Sequence, residues 1–131
     1  MLRRSADART LVTVAIALCA CILSGCRRHY GGEAAHLTGG DPRRGVQAIG
    51  RYGCGSCHDI PGVRNARGTV GPPLARIAVR TYLAGRVMNT PAGMIRWIQH
   101  PQQIEQGTAM PDMGVTETDA RDIAAYLYTL R

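Results

Sequence analysis

An all-α domain, three main helices joined by long loops, is what this sequence predicts, on three observations. Asp41-Pro42, Thr90-Pro91 and Thr116 each place a capping side chain ahead of an apolar stripe at helical spacing. No segment alternates apolar and polar residues convincingly, as a half-buried strand would. About thirty residues between His58 and Thr90 carry little regular pattern, and a compact domain tolerates such a loop chiefly where it wraps something functional.

The chain opens on "MLRRSADART", with Arg3, Arg4 and Arg9 against Asp7, followed by the apolar run Leu11 to Leu23. That run is too short to span a bilayer comfortably and suits the core of a signal peptide. It ends in "LSGC", Leu23 to Cys26, which looks like a lipobox, in which the cysteine is acylated before cleavage. Residues 1–25 are then a lipoprotein-type signal peptide, and the mature chain begins at a lipidated Cys26. The competing reading is an uncleaved anchor helix with Cys26 an ordinary residue. Either way the rest of the chain is expected on the periplasmic side of a bacterial membrane, tethered to it.

Residues 26–40 read as a lipidated N-terminus and flexible linker, because "RRHYGGEAAHLTGG" is polar, Gly-containing and without periodicity. As coil it reaches roughly 20 Å, and under about 50 Å fully extended. The domain proper is then 41–131. Its first helix starts where Asp41 caps and Pro42 opens, with Val46 and Ile49 on one face, and runs to about Tyr52. A short helix is possible near Leu74–Val79. The second main helix has Thr90 as cap, Pro91 at its start, an apolar stripe of Met94, Trp97 and Ile98, and Pro101 as its end. The third follows Thr116, with Asp119 making an imperfect capping box and Ala120, Ile123, Ala124, Leu127 and Leu130 as the stripe.

Composition narrows the function. The sixteen basic residues are all arginine, and the chain has no Phe and a single Trp. Without residues 1–25, thirteen arginines stand against eight acids, a net charge of +5. That balance favours an anionic surface, lipid or protein, and is too modest for nucleic acid, for which no aromatic-plus-basic repeat speaks either. A domain of about ninety residues with so thin a core is marginal without help. A large apolar cofactor would supply the missing interior.

"CGSCH", Cys54 to His58, can be a redox dithiol, half a zinc site, or the attachment point of a c-type haem. A dithiol needs a βαβ setting, and none surrounds Cys54. Zinc needs two further ligands, and His29, His36 and His100 are scattered. With Cys19 and Cys21 in the signal segment and Cys26 lipidated, Cys54 and Cys57 cannot build a disulfide framework. Haem needs two thiols for its vinyl groups, a histidine directly behind them, and a sixth ligand. "GTAMPDMG" offers Met110 in a loop between two helices, where a thioether can be presented to the other haem face. Met113 and His100 are its rivals.

Across residues 41–131 the chain resembles the class I cytochromes c, in "GDPRRG" with "CGSCH", in "GPPL" (Gly71–Leu74), "MIRWIQHP", "GTAMP" and "AAYL" (Ala124–Leu127). The resemblance implies the cytochrome c fold around one covalently bound haem c and its iron. Cys54 and Cys57 would be the thioether cysteines, His58 the proximal ligand and Met110 the distal one. The Pro72 carbonyl would accept the His58 Nδ1–H, a bond that fixes the tautomer and raises basicity. Gly45 and Ile49 would cross the last helix near Tyr126; the family usually has an aromatic where Ile49 stands. Trp97 falls where the methionine side of the haem is lined. Tyr82, Arg86, Asn89 and Trp97 are the candidate propionate partners, with Arg80 and Arg86 alternatively plain surface charges. Two propionates would lower the net charge to about +3.

The function implied is a monomeric, membrane-tethered carrier of single electrons between respiratory proteins. A bc-type complex or a dehydrogenase would be its donor, and a terminal oxidase or another reductase its acceptor. It would not be an enzyme. The alternatives are a permanently bound cytochrome subunit of an oxidase, reductase or dehydrogenase complex, and a haem enzyme or gas-binding protein with a labile distal site.

Overall fold

The computed structural model describes residues 31–131; the signal-like run, Cys26 and the first residues of the expected linker lie outside them. Five helices and one tiny hairpin make up the described chain. They are α1 (31–38), α2 (Pro42–Arg51), β1 (Tyr82–Leu83), β2 (Val87–Met88), α3 (Pro91–Gln99), α4 (Pro101–Ile104) and α5 (Glu117–Leu127). Single 3₁₀ turns occupy Cys54–Ser56 and Ile77–Val79.

The caps read from sequence are in place. The Asp41 carboxylate accepts from Arg43 N, Thr90 Oγ1 from Gly93 N, and Thr116 Oγ1 from Asp119 N. At α5 the return half of the box is indirect. Asp119 Oδ2 takes the Thr116 and Tyr52 hydroxyls, at 3.2 and 2.9 Å, while the Thr116 N–H reaches the Tyr52 hydroxyl. Pro101 ends α3, as expected, because it has no N–H to continue the ladder. The same residue then opens α4, where a missing N–H costs nothing.

The buried stripe of α2 is Gly45, Ala48 and Ile49, with Val46 only half-buried. Gly45 explains the register. A Cβ there would sit 2.8 Å from Asp122 C and 2.9 Å from Tyr126 Cβ, so α2 lies directly on the α5 backbone. Beside this crossing the buried Asp122 carboxylate accepts from Asp41 N at 2.6 Å and from Arg44 Nε and Nη2 at 2.7 and 2.9 Å. Those bonds hold the carboxyl below the ordinary aspartate range.

Residues 31–40 are not a flexible linker. They form α1 and its stop at Gly39, whose φ is +69°. Ala34 is fully buried and Thr38 nearly so. Arg121 Nη1 donates to Thr38 O, Arg131 pairs with Glu33, and a Cβ at Gly40 would press on the α5 backbone, 2.6 Å from Asp122 N. The sequence conceals this helix because its only inward side chains are the small Ala34 and Thr38. Its stability comes from docking rather than from an apolar stripe.

The long loop folds back on the cysteine motif. Gly68 N donates to Gly55 O and His58 O, Gly71 N to Cys57 O and Leu74 N to Asp59 O, and Asp59 and Arg67 form an isolated antiparallel bridge. The expected short helix shrinks to Ile77–Val79. A strand pair that the alternation did not signal follows, turning at Ala84 and Gly85, both with positive φ. Among the described residues no helix is long and apolar enough to cross a membrane.

Candidate cofactor site

A cleft lined almost entirely by apolar side chains opens in the interior of the domain. Ile49 of α2, Leu74 and Ile77 of the loop, Ile98 of α3, and Ile123 and Leu127 of α5 make its greasy wall. Cys54, His58, Arg80, Trp97, Met110 and Met113 bring the chemistry.

Cys54 to His58 make one tight turn. Cys57 N and His58 N both donate to Cys54 O, at 3.3 and 3.0 Å. The turn brings Cys54 and His58 into the cleft wall, while Cys57, in the same turn, is half-buried and outside the lining. Both cysteines are free and partly buried, and burial pushes the Cys54 thiol above its ordinary pKa. His58 is fixed twice. Its Nδ1 lies 2.8 Å from Pro72 O, the partner that the resemblance implied. Its ring also rests on the bare Gly71 backbone, where a Cβ would come within 2.6 Å of Nδ1 and 2.9 Å of Nε2. With Nδ1–H given to a carbonyl, Nε2 keeps its lone pair for a metal.

Met110 reaches the same cleft from the loop after α4. Gln102 Nε2 clamps this loop by donating to Met110 O and Thr108 O, each at 2.7 Å. Met113 also lines the cleft but is 43% exposed. His100 is exposed and outside the lining. Trp97 is in the wall.

Three of the four candidate propionate partners lie outside the cleft lining. Tyr82 is 53% exposed and pairs with Met88 on the outer face of the hairpin, leaving Leu83 and Val87 to face inward. Arg86 is ion-paired with Glu105, away from the cleft wall. Asn89 is committed to structure. Its amide nitrogen donates to Ile77 O and Arg80 O, and its oxygen accepts from the Tyr128 hydroxyl. The cation in the wall is Arg80, braced by Nη2 donating to Pro73 O and Ala75 O. Asn89 thus holds the Arg80 backbone in place. Sequence reasoning weighed Arg80 only as surface charge and missed Gln102, since neither lies in a periodic segment.

The residues fit a covalently attached porphyrin. The cleft is apolar, and the Cys54 thiol and an oriented imidazole line it, with Cys57 in the same turn. The Met110 and Met113 thioethers line it as well, and the braced Arg80 would be the cation available to acid groups. Among the described residues, no three His, Cys, Asp or Glu side chains gather as an alternative metal cluster. The family model described as cytochrome c matches residues 43–131. No curated protein and no solved structure matches the chain.

Proposed function

The chain belongs to the cytochrome c family, with the all-α fold and the covalently bound haem c which that membership carries, and on this premise we propose that it is a membrane-tethered, single-haem electron carrier. When bound, the haem supplies a one-electron Fe(III)/Fe(II) couple. Every other function is the chain's. Cys54 and Cys57 anchor the group through thioethers, and the sequence carries this motif once. His58, held at Nδ1 by Pro72 O, directs Nε2 to the iron. Met110, in a loop steadied by Gln102, would offer its thioether sulfur to the iron as the second protein ligand. Arg80, in the cleft wall, would pair with the propionates, whereas Tyr82 and Arg86 lie outside the lining. The apolar wall excludes water and, with thioether-sulfur ligation, favours Fe(II) and raises the potential.

The observation that carries this reading is that an oriented His58 and a loop-borne Met110 line one apolar cleft. An iron held by both side chains would exchange electrons and leave no position for a substrate. The carrier would take electrons from a bc-type complex or a dehydrogenase and pass them to a terminal oxidase or another reductase. It would do so as a monomer on the periplasmic side of a bacterial membrane, through lipid on Cys26. A permanently bound cytochrome subunit is the second reading, favoured by the docking of α1, which shortens the tether.

The test is a pyridine-haemochrome assay with intact mass on the exported protein, followed by carbon monoxide on the reduced form. One c-type haem per chain, an acylated Cys26 and no rapid CO binding are expected. Fast CO binding at neutral pH would overturn the carrier in favour of a gas-binding or catalytic haem. Stoichiometric co-purification with one complex in mild detergent would replace the shuttle with the fixed subunit.

A further inference from the structure

We propose that α1, with the C-terminal residues packed beside it, is the face of this domain that lies against the bilayer, and that it holds the domain within about 20 Å of the lipid headgroups. The inference rests on the lipid-anchor reading of Cys26 and adds an orientation and a height to it.

The first described residue, Gly31, already belongs to a docked helix. Ala34 and Thr38 are buried in the domain, Thr38 O accepts from Arg121, Glu33 pairs with Arg131, and Gly40 lies on the α5 backbone. Only residues 27–30 then separate a lipidated Cys26 from the domain. That stretch spans less than about 20 Å even when drawn straight, against the roughly 50 Å available had residues 27–40 been coil. A tether so short leaves the surface around its attachment point facing the membrane.

The surface is suited to that position. Leu37 stands 47% exposed on the outer side of α1, an apolar side chain with no work inside the domain. The charges around it are paired, Glu33 with Arg131 and Glu117 with Arg121, so approach to anionic headgroups brings no unpaired carboxylate from these two pairs. No α1 residue lines the cofactor cleft, so the anchored face and the electron-exchanging residues are separate. A carrier held at this height moves in two dimensions. Its partners are proteins that present their redox group close to the same membrane surface: integral complexes or other anchored carriers.

The experiment uses the exported, haem-loaded full-length protein in bilayer nanodiscs bearing nickel-chelating headgroups. A nitroxide is attached at Leu37→Cys, and its relaxation enhancement by headgroup nickel is read in the reduced state. The enhancement is expected to be several-fold larger than in the same protein with a long Gly-Ser spacer inserted between Tyr30 and Gly31. Ala34→Asp, which undocks α1, is expected to move the signal toward that of the spacer protein. An acylated wild-type chain whose enhancement equals that of the spacer protein overturns the inference and leaves the anchor standing. A mass spectrum without acyl chains on Cys26 overturns the anchor reading, and the inference with it.

Discussion

Gly71→Ala should damage this protein although it adds one methyl group and touches no ligand atom covalently. The new Cβ would stand 2.6 Å from His58 Nδ1 and 2.9 Å from Nε2, where ordinary carbon contacts begin near 3.5 Å. The imidazole must retreat by roughly 1 Å, or the Gly71–Pro72 backbone must move away from it; either stretches the 2.8 Å bond to Pro72 O. Overpacking of this kind costs about 1–3 kcal/mol, and the lost hydrogen bond about 1 more, so a total of about 2–4 kcal/mol is expected. Gly50→Ala is the control, because nothing lies within 4 Å of its Cβ position on the exposed side of α2. There alanine should stabilise, by up to about 1 kcal/mol. Urea unfolding of the two haem-loaded variants, with the ferric spectrum recorded beside it, makes the comparison. A Gly71→Ala protein within about 0.5 kcal/mol of wild type and spectrally unchanged would refute the claim that this glycine seats the proximal ring.

Three further outcomes are expected. Met110→Ala should abolish the weak far-red sulfur-to-iron band of the ferric protein while Met113→Ala leaves it; the reverse pattern would transfer the ligand role to Met113. Arg80→Gln should lower the reduction potential, by about 40 mV for each kcal/mol of charge stabilisation removed, whereas Arg86→Gln, which only breaks the Glu105 pair, should leave it nearly unmoved in protein-film voltammetry. Acid should weaken the fold through Asp119 and Asp122. The Asp119 carboxyl is lowered first by the Tyr52 hydroxyl and then by Arg51, and that of Asp122 first by Arg44. Because both folded pKa values lie below the ordinary 3.8, the stabilisation is complete above that value and lost as pH falls through the depressed ones. Urea midpoints measured against pH should therefore decline in that window, and Asp122→Asn should flatten the decline while lowering the plateau.

Chemistry that demands fixed spacing was legible in the sequence. The turn holding Cys54, Cys57 and His58 and the loop methionine follow from local strings, whereas the Pro72 carbonyl was implied only by the family resemblance. The starts of α2, α3 and α5 were legible too, since Asp41, Thr90 and Thr116 act on amides two or three residues away. What stayed hidden depends on distant or weak partners. Asp122 drew no reading from the sequence, because its partners, Arg44 and the Asp41 amide, lie some eighty positions earlier. Tyr82 looked suited to a propionate, but the side of a strand is set by register. With Tyr82 opposite Met88 and Leu83 opposite Val87, the tyrosine turns outward. The helix at 31–38 has no apolar period to read, so only its docking partners disclose it.

The meeting of Asp122 with Asp41 and Arg44 also closes the domain on itself. A ring of some eighty residues closes only when the last helix arrives, and closing so large a loop is entropically unfavourable until its contacts reward it. Cys54 and Cys57 lie inside that ring, so the contacts of Asp122 close the chain around the cofactor motif.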